Sequence, residues 1–454
     1  MKQKTSVVLL CLVYLIGYTG DLKAQEKKNR NHYFTLGNGM QVIVESRTQA
    51  PLVHVAFAVG LGSRDETAEE NGYVHLIEHV MLLGGTKQIA ADEFASRLRA
   101  SGVYFNAHTD HDLLTLEFTL TSKHLEDVLN LAREKLFSTV FSSDIVEREK
   151  KAIFEEINQI NDDPVARGRQ QIIGEIFADH PYARPVYGDA EVIRKADPQV
   201  LETMYNRYFT AGNMALAIVG GIEADPVREL IQKMFSGIPA GEKVNRSLPP
   251  LPEISKTRQT RLEMDVEEHH LFLGFPAPAL NEESRLAFDM VVQIFGRGYN
   301  PLLRAVLRSS GRDLVESVDP SFITLDHAGL YIIHIRCDGS KISAIKRETL
   351  QFFNRAARMP FSIDDMLPSQ RTGAIDYLRN ALTHLTMTYH SFQENGLSLA
   401  TAYARSMLLQ PEKEEENYLV RLSRLKSKQI NRVIDKVLAG NKYIQVVIGP
   451  MEKK

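Results

Sequence analysis

Two histidines and a glutamate within five residues are the part of this sequence best suited to chemistry. His75, Glu78 and His79 lie in the segment HLIEH at positions 75–79. On a helix, where successive residues turn by about 100°, their side chains fall within an arc of about 100°. Two imidazoles four residues apart can bind one metal ion, and zinc suits such ligands and keeps a position for water. Glu78 is then the candidate general base.

A catalytic zinc ion needs a third protein ligand from elsewhere in the chain. A downstream segment of helical pattern carries four glutamates, Glu147, Glu149, Glu155 and Glu156. Positions 149 and 156 are two helical turns apart and share one face. We therefore predict that Glu156 binds the metal and that Glu149 orients one of the histidines. The alternative is a pair of histidines on a solvent-facing helix without any metal.

The elements that must position these residues follow from hydrophobic periodicity. Alternation around the turn Gly37–Gly39 predicts an antiparallel hairpin over Tyr33–Ala58. Helical periodicity covers Val74–Leu83, Asp92–Ala100, Leu125–Leu136 and Ser143–Asn161, and Leu113–Leu120 alternates as a strand. This mixture predicts an α+β fold.

The two halves of the chain share a repeated pattern. Ala211-Gly212-Asn213 precedes an apolar strand ending at Gly220, and Ala439-Gly440-Asn441 precedes one ending at Gly449. A helix predicted to begin at Phe141–Asp144 has its counterpart at Phe361–Asp364. Two copies of one α+β unit explain this pattern, and coincidental turn chemistry is the alternative.

A cluster of three prolines separates the halves. They lie within Ser247–Ser255 and favour extended backbone. We place the linker at residues 247–260, between an N-terminal metal-binding domain at 32–246 and a C-terminal domain at 261–454.

The first 24 residues are expected to be a secretory signal peptide. Lys2 and Lys4 precede the apolar run Val7–Ile16, and Ala24 provides a small residue at the cleavage site. The run is shorter than the ~20 residues that span a bilayer, which disfavours the alternative of a membrane anchor. We therefore expect export to the periplasm or secretion, and no transmembrane anchor after cleavage.

Charge and cysteine usage narrow the class of protein further. The formal net charge is −3, and the composition, 44% hydrophobic and 24% charged, is that of an ordinary soluble protein. Nothing suggests a surface for nucleic acid. Of the two cysteines, Cys11 lies in the predicted signal peptide, so Cys337 is left without a disulfide partner in the mature chain.

The residues around the histidine pair resemble those of the inverzincins, zinc peptidases that include pitrilysin, insulin-degrading enzyme and the mitochondrial processing peptidase. The resemblance covers nearly the whole mature chain. Beyond the HxxEH core, it is carried by Gly62–Glu66, Gly72–His75, Gly84–Thr86, Asn106–Ala107, Glu147–Glu149, Glu155–Ile157, His180–Tyr182 and Gly188. It implies two homologous α+β repeats, each a mostly antiparallel sheet with helices packed on it.

The same resemblance assigns roles to single residues. In that family the third zinc ligand follows the second histidine by about 75 to 77 residues, and 156 − 79 = 77 selects Glu156. The resemblance also implies that Glu149 supports the site. Asn106 and Ala107 resemble the edge strand on which family members add a substrate peptide as a further strand.

The second half resembles the catalytically silent repeat of that family. The counterpart of the histidine-bearing helix is expected near Leu302–Leu307, which has no histidine or glutamate, so one zinc ion per chain follows. Active members carry an arginine and a tyrosine in this repeat to hold the substrate carbonyl. Arg308 matches the arginine, but Glu316 stands where the tyrosine is expected. Since some bacterial relatives obtain this pair from a partner subunit, we expect the zinc subunit of a heterodimer.

Three other groups of residues could suggest additional sites. His108, Asp110 and His111 are interpreted as solvent-facing residues at a strand end rather than a second metal site. His269 and His270 lie in an alternating strand and are expected to be structural. Gly296–Gly298 is interpreted as a loop, because a phosphate-binding Lys-Ser/Thr continuation is missing.

The resulting hypothesis is a zinc metalloendopeptidase acting on peptides or unfolded protein segments. The alternative, prompted by the missing tyrosine, is a catalytically weak peptide-binding or scaffold subunit of a peptidase complex.

Overall fold

The computed structural model describes residues 31–47, 50–242, 244, 246–298, 301–308, 314–409, 418–440 and 442–451. The predicted signal peptide at 1–24 lies outside these residues. Within them, no helix is both long enough and apolar enough to cross a membrane.

Strands and helices follow each other in the same order in both halves. The strands are β1 (Asn31–Thr35), β2 (Gln41–Ser46), β3 (Leu52–Val59), β4 (Tyr104–Thr109), β5 (Leu114–Thr121), β6 (Met214–Gly220), β7 (Arg258–Met264), β8 (His269–Ala277), β9 (Ser317–Thr324), β10 (Gly329–Cys337) and β11 (Ile444–Pro450).

The α-helices are α1 (Tyr73–Leu83), α2 (Ala91–Ala100), α3 (Leu125–Ser138), α4 (Ser143–Asp162), α5 (Pro164–Phe177), α6 (Ala190–Arg194), α7 (Pro198–Tyr208), α8 (Ala224–Phe235), α9 (Ser284–Val292), α10 (Leu302–Arg308), α11 (Ile342–Ala356), α12 (Tyr377–Glu394), α13 (Gly396–Leu409), α14 (Tyr418–Ser423) and α15 (Ser427–Val437). In the first half, the predicted helices and the strand at 113–120 are confirmed to within two residues.

The strands that the structure describes form two sheets. One has the order β1-β2-β6-β3-β5-β4 and the other β7-β11-β8-β10-β9. In each sheet the last strand along the chain, β6 or β11, is parallel to one neighbour, and the other pairings are antiparallel. Apart from the extra strand β1, the two sheets have the same order, which confirms the predicted α+β repeats.

Three details of the predicted repeat were wrong. The hairpin joins only β1 and β2, because β3 pairs with β5 and β6 instead. The first helix after β3 is α1 and the first after β8 is α9, so the counterpart of the histidine-bearing helix is Ser284–Val292 and not 302–307. This helix also lacks histidine and glutamate. The counterpart expected to begin at Phe361–Asp364 is only a short 3₁₀ turn, since Pro368 and Gly373 interrupt it before α12.

The two repeats exchange helices. Helix α5 of the first half packs on the second sheet, where Gly168 leaves room for the ring of Phe272 and Ile172 lies against Gly274. Helix α13 of the second half packs on the first sheet, where small residues on both sides permit close contact: Ala56, Ala58, Ala215 and Ala217 face Ala400 and Ala404. The repeats therefore cannot separate without exposing two apolar faces.

Buried ion pairs also connect the repeats. Arg64 of the first half bonds Asp112 at 2.6 Å and Asp326 of the second half at 2.9 Å. Asp110 pairs with Arg405 of helix α13 at 2.5 Å and is buried, and His111 is half-buried with its pKa lowered to about 4 by desolvation. The expectation that 108–111 are solvent-facing was therefore wrong for Asp110, because this segment lies under the second repeat.

Other predictions in the second half have mixed outcomes. His270 lies in strand β8, and its Nδ1 lies 3.0 Å from Nε2 of His334 in the neighbouring strand β10. This contact within the sheet agrees with the expected structural role. Gly296 is not in a loop but in a π-helical turn, where the ring of Pro320 occupies the place of a side chain. Residues 247–257 form neither helix nor strand, and the division into domains at 247–260 stays a prediction.

A buried lysine supports the end of helix α1. Lys135 on α3 is fully buried, and its Nζ donates to the carbonyl of Gly84 at 2.5 Å and lies 4.1 Å from the ring centroid of Phe94. Within the described residues, no carboxylate lies at ion-pair distance from it. Burial therefore lowers the pKa of Lys135 to about 7.

We expect Lys135→Met to flatten the pH dependence of stability. An unfolded chain keeps this proton to about pH 10.4, whereas the folded chain releases it near pH 7. Between pH 7 and 9 the unfolded state binds more protons, so the free energy of unfolding rises with pH by up to about 1.4 kcal/mol per unit. Glu66 and the other titrating groups are the same in all chains, so urea unfolding at pH 7, 8 and 9 should give a more positive slope in the wild type and in the exposed control Lys123→Met than in Lys135→Met. Equal slopes in all three chains would contradict it.

Candidate metal centre

Helix α1 begins at a buried carboxylate that sequence analysis did not predict. Glu66 accepts hydrogen bonds from the backbone amides of Gly72 and Val74, at 2.8 to 3.1 Å, and from the side chain of Asn71 at 2.9 Å. These contacts satisfy free amides of the first turn. Desolvation raises the pKa of Glu66 to about 8, although the hydrogen bonds oppose this shift. Glu66 thus fixes where the helix starts.

Two glycines bring a second chain segment against this helix start. Gly72 and Gly188 have φ angles of +103° and +89°, and a Cβ on Gly188 would lie 2.3 Å from Cα of Gly72. This approach, which only glycine permits, places the carbonyl of Tyr187 3.5 Å from Nδ1 of His75. The ring of His75 is therefore oriented by backbone contacts.

The three predicted ligands converge at one point. Nε2 of His75 lies 3.6 Å from Oε2 of Glu156, and Nε2 of His79 lies 3.7 Å from Oε1 of Glu156. The three ligand atoms lie within 4.8 Å of one another, and no other such group of three occurs in the described parts of the chain. Ligand atoms about 2.0 to 2.2 Å from a tetrahedral zinc ion lie about 3.3 to 3.6 Å apart, and the two distances between imidazole and carboxylate atoms are close to this range.

Charges at this point favour a cation. Desolvation lowers the pKa of His75 despite the neighbouring carboxylates of Glu78 and Glu156. Desolvation would also lower the pKa of His79, but the carboxylate of Glu156, whose Oε1 lies 3.7 Å from Nε2, outweighs it and raises this pKa. In return, the nearby imidazole of His79 lowers the pKa of Glu156. A carboxylate beside two imidazoles is a suitable set of metal ligands. A divalent metal ion that binds to them displaces their protons.

Glu149 contacts the second ring nitrogen of His79, Nδ1. Oε2 of Glu149 lies 3.3 Å from Nδ1 of His79, and the Glu149 side chain is only 2% exposed. A carboxylate in this position fixes which ring nitrogen carries the proton and leaves Nε2 free as a ligand. The predicted placement of Glu149 behind a histidine agrees with this geometry.

Glu78 lies on helix α1 between the two histidines. It is buried, and in the part of the chain that the structure describes its Oε2 has no hydrogen-bond partner. A buried carboxylate oxygen without a partner is costly and usually marks a site built for something else. Glu78 can therefore accept a proton or hydrogen bond from a molecule at the centre.

The predicted substrate-binding residues lie on an exposed sheet edge. Strand β4, which contains Asn106 and Ala107, is the last strand of the first sheet, and of the described strands it pairs only with β5. Helix α1 packs against β4. Asn106 is exposed, whereas Ala107 is buried in the core beneath. A free strand edge thus runs beside the three ligands.

Arg308 and Glu316 contact each other within the second repeat. Nη2 of Arg308 donates to the carbonyl of Glu316 at 3.0 Å. The exposed carboxyl of Glu316 hydrogen-bonds to that of Glu268, which raises its pKa. The contacts of these two residues therefore lie within the second repeat and not at the three ligands.

Comparison with known proteins decides the family. The model of the insulinase family, peptidase family M16, matches residues 41–190, and the model of the peptidase M16 inactive domain matches residues 195–366. The chain belongs to peptidase family M16. The resemblance stated from the sequence is thereby confirmed.

Relatives of this M16 chain are proteases by name. A Rickettsia felis protein called an uncharacterized zinc protease is 24% identical over 314 residues, covering 69% of this chain and 75% of that protein. A protease from Helicobacter pylori has a crystal structure that covers 93% of this chain and 100% of its own, with a TM-score of 0.82 and 19% identity. The periplasmic protease PqqL of Escherichia coli has a TM-score of 0.75 and 18% identity; the match covers 94% of this chain but 48% of PqqL.

The residues outside the histidine motif that fix helix α1 and the ring of His75 were not predicted from the sequence. Glu66 and Gly188 were noticed only as parts of matching segments, and the carbonyl of Tyr187 and the buried Lys135 were not noticed at all. The contacts of Gly188, Tyr187 and Lys135 join residues far apart in the chain, and no local pattern signals such contacts. Glu66 bonds residues only five to eight positions away, but these bonds belong to no regular helix or strand pattern.

We expect Gly188→Ala to destabilise this M16 chain. The new methyl group would collide with Gly72, and the φ of +89° is unfavourable for alanine, so the free energy of unfolding should fall by about 1 to 3 kcal/mol. Gly174→Ala is the matched control: its helical position has open space, and alanine should stabilise it by up to about 1 kcal/mol. Chemical denaturation measures both changes, and a neutral Gly188→Ala would contradict the close approach.

Proposed function

We propose that this chain is a zinc-dependent metalloendopeptidase that hydrolyses peptides or unfolded protein segments. One observation carries the proposal: His75, His79 and Glu156 direct three ligand atoms to one point, beside a buried Glu78 oxygen without a partner in the described residues. The names of the M16 relatives support zinc as the metal. One zinc ion per chain follows from the second repeat, whose corresponding helix has no histidine or glutamate.

The residues around this point have complementary tasks. A bound zinc ion would lower the pKa of a water molecule and polarise the scissile carbonyl. Glu78 takes a proton from the attacking water and later donates it to the leaving amine. Glu149 and the carbonyl of Tyr187 keep the imidazoles of His79 and His75 in the orientation in which their Nε2 atoms face Glu156.

The edge strand β4 offers a way to bind substrate. A peptide that adds to Asn106 and Ala107 as a further strand is recognised through its backbone, so sequence matters less than an extended conformation. Folded proteins rarely present such a segment. Strand addition therefore favours short peptides and unfolded segments.

The packing of the repeats supports a second chain as partner. Helix α5 packs on the second sheet and helix α13 packs on the first, so the two repeats form one body. They therefore cannot move apart and close around a substrate. PqqL, of which the matched part is 48%, is about twice as long. We propose a heterodimer in which a homologous partner supplies the arginine and tyrosine that Arg308 and Glu316 do not provide together.

Export is part of this proposal. It is supported by the charged and then apolar segment at 1–24, and the expected compartment is the periplasm or the extracellular space.

We expect Glu78→Gln to abolish turnover and to leave zinc binding intact. Glutamine keeps the size of the side chain but cannot accept the proton, so kcat for a quenched peptide should fall about 10²- to 10⁴-fold. Zinc content, measured by atomic emission, should stay at about one ion per chain. Glu155→Gln, at the exposed neighbour of Glu156, is the control and should keep full activity. A Glu78→Gln chain with wild-type kcat would refute the role of Glu78.

The partner hypothesis predicts that the chain alone is a slow enzyme. The purified chain should hydrolyse a quenched peptide slowly, and the chain together with a co-purified homologous partner that carries the arginine and tyrosine should show a kcat at least about tenfold higher, since donors to the developing oxyanion are then present. A wild-type monomer that is fully active alone would contradict the heterodimer.

A peptide-binding or scaffold subunit is the second candidate. The observation that favours it is the engagement of Arg308 with the carbonyl of Glu316, away from the three ligands. Such a subunit has no use for Glu78, so it predicts that Glu78→Gln leaves the activity of the assembled complex unchanged.

A further inference from the structure

Glu149 is held from two sides, and only one of them is His79. The side chain is almost fully buried, so both carboxylate oxygens need partners. Oε2 faces Nδ1 of His79, and Oε1 accepts a hydrogen bond from Nε of Arg148 at 2.8 Å. The orientation of Glu149 therefore depends on Arg148 as much as on His79.

Arg148 connects the two helices that carry the ligands. Adjacent residues of a helix normally point in different directions, yet Arg148 of α4 bends back to Glu149. Its Nη2 also lies 3.4 Å from the carbonyl of Leu83, the last residue of helix α1. A planar guanidinium can make both contacts at once, whereas an ammonium group cannot reproduce this geometry.

We propose that Arg148 is a positioning residue of the metal centre. It holds Glu149 so that this carboxylate accepts a hydrogen bond from Nδ1–H of His79 and leaves Nε2 as the metal ligand. At the same time it ties the end of the helix that carries His75 and His79 to the helix that carries Glu156. This role rests on the proposed zinc function and deepens it, since it makes metal affinity depend on a residue that does not touch the metal.

The position of Arg148 permits a clean test. Its side chain is 61% exposed and borders an open pocket of about 400 Å³ together with Gly84 and Ser142. Solvent can therefore fill the space after truncation, and Arg148→Ala should fold. Lys151 on the same helix is exposed and provides a matched control, Lys151→Ala.

The experiment measures the zinc dissociation constant of the full chain by competition with a fluorescent chelator at pH 7.5. Arg148→Ala should weaken zinc binding about 10- to 100-fold, the usual range for residues that orient a metal ligand. Arg148→Lys should keep part of the affinity, because it retains the charge without the planar fork. Lys151→Ala should bind zinc like the wild type.

A double variant separates positioning from general damage. If Arg148 acts mainly through Glu149, then Arg148→Ala should lower the affinity much less in a chain that already carries Glu149→Ala than in the wild type, where only the contact with the carbonyl of Leu83 is left to lose. Additive losses, or wild-type affinity of Arg148→Ala, would overturn the role of Arg148. A wild-type chain that binds no zinc would instead overturn the proposed function, and the role of Arg148 with it.

Discussion

The candidate metal centre depends on one contact between helices α1 and α4, which lie far apart in the sequence. The carboxylate of Glu156 lies 3.6 to 3.7 Å from Nε2 of both His75 and His79. The helix of the histidines is fixed at its start by Glu66 and at its end by Lys135 and Arg148. A helix whose two ends are bonded to these side chains cannot slide along its neighbour without losing the bonds. Contacts outside the three residues thus hold the two histidines in position for Glu156.

The exchange of helices between the repeats gives the second half a structural task. The second sheet contains no copy of the metal centre in its described residues, but helix α13 covers one face of the first sheet. The ion pairs of Arg64 and Asp110 lie across the same contact. The second repeat therefore keeps rigid the sheet whose edge strand, β4, lies beside the ligands.

Much of this architecture was predictable, and the failures have physical causes. The convergence of His75, His79 and Glu156, the position of Glu149 and the repeats were predicted from spacing and periodicity, because helices repeat every 3.6 residues and candidate ligands must share a face. The burial of Asp110 was not predictable, since it depends on helix α13 from the other half of the chain. Lys135 was missed for the same reason: a charged side chain looks solvent-exposed until its distant partner, here the carbonyl of Gly84, is known.

The most direct measurement is the anomalous scattering of a zinc-soaked crystal at the zinc absorption edge. We predict one peak per chain, about 2.0 to 2.2 Å from Nε2 of His75, Nε2 of His79 and a carboxylate oxygen of Glu156. A strong peak elsewhere, or none between these three residues at saturating zinc, would contradict it.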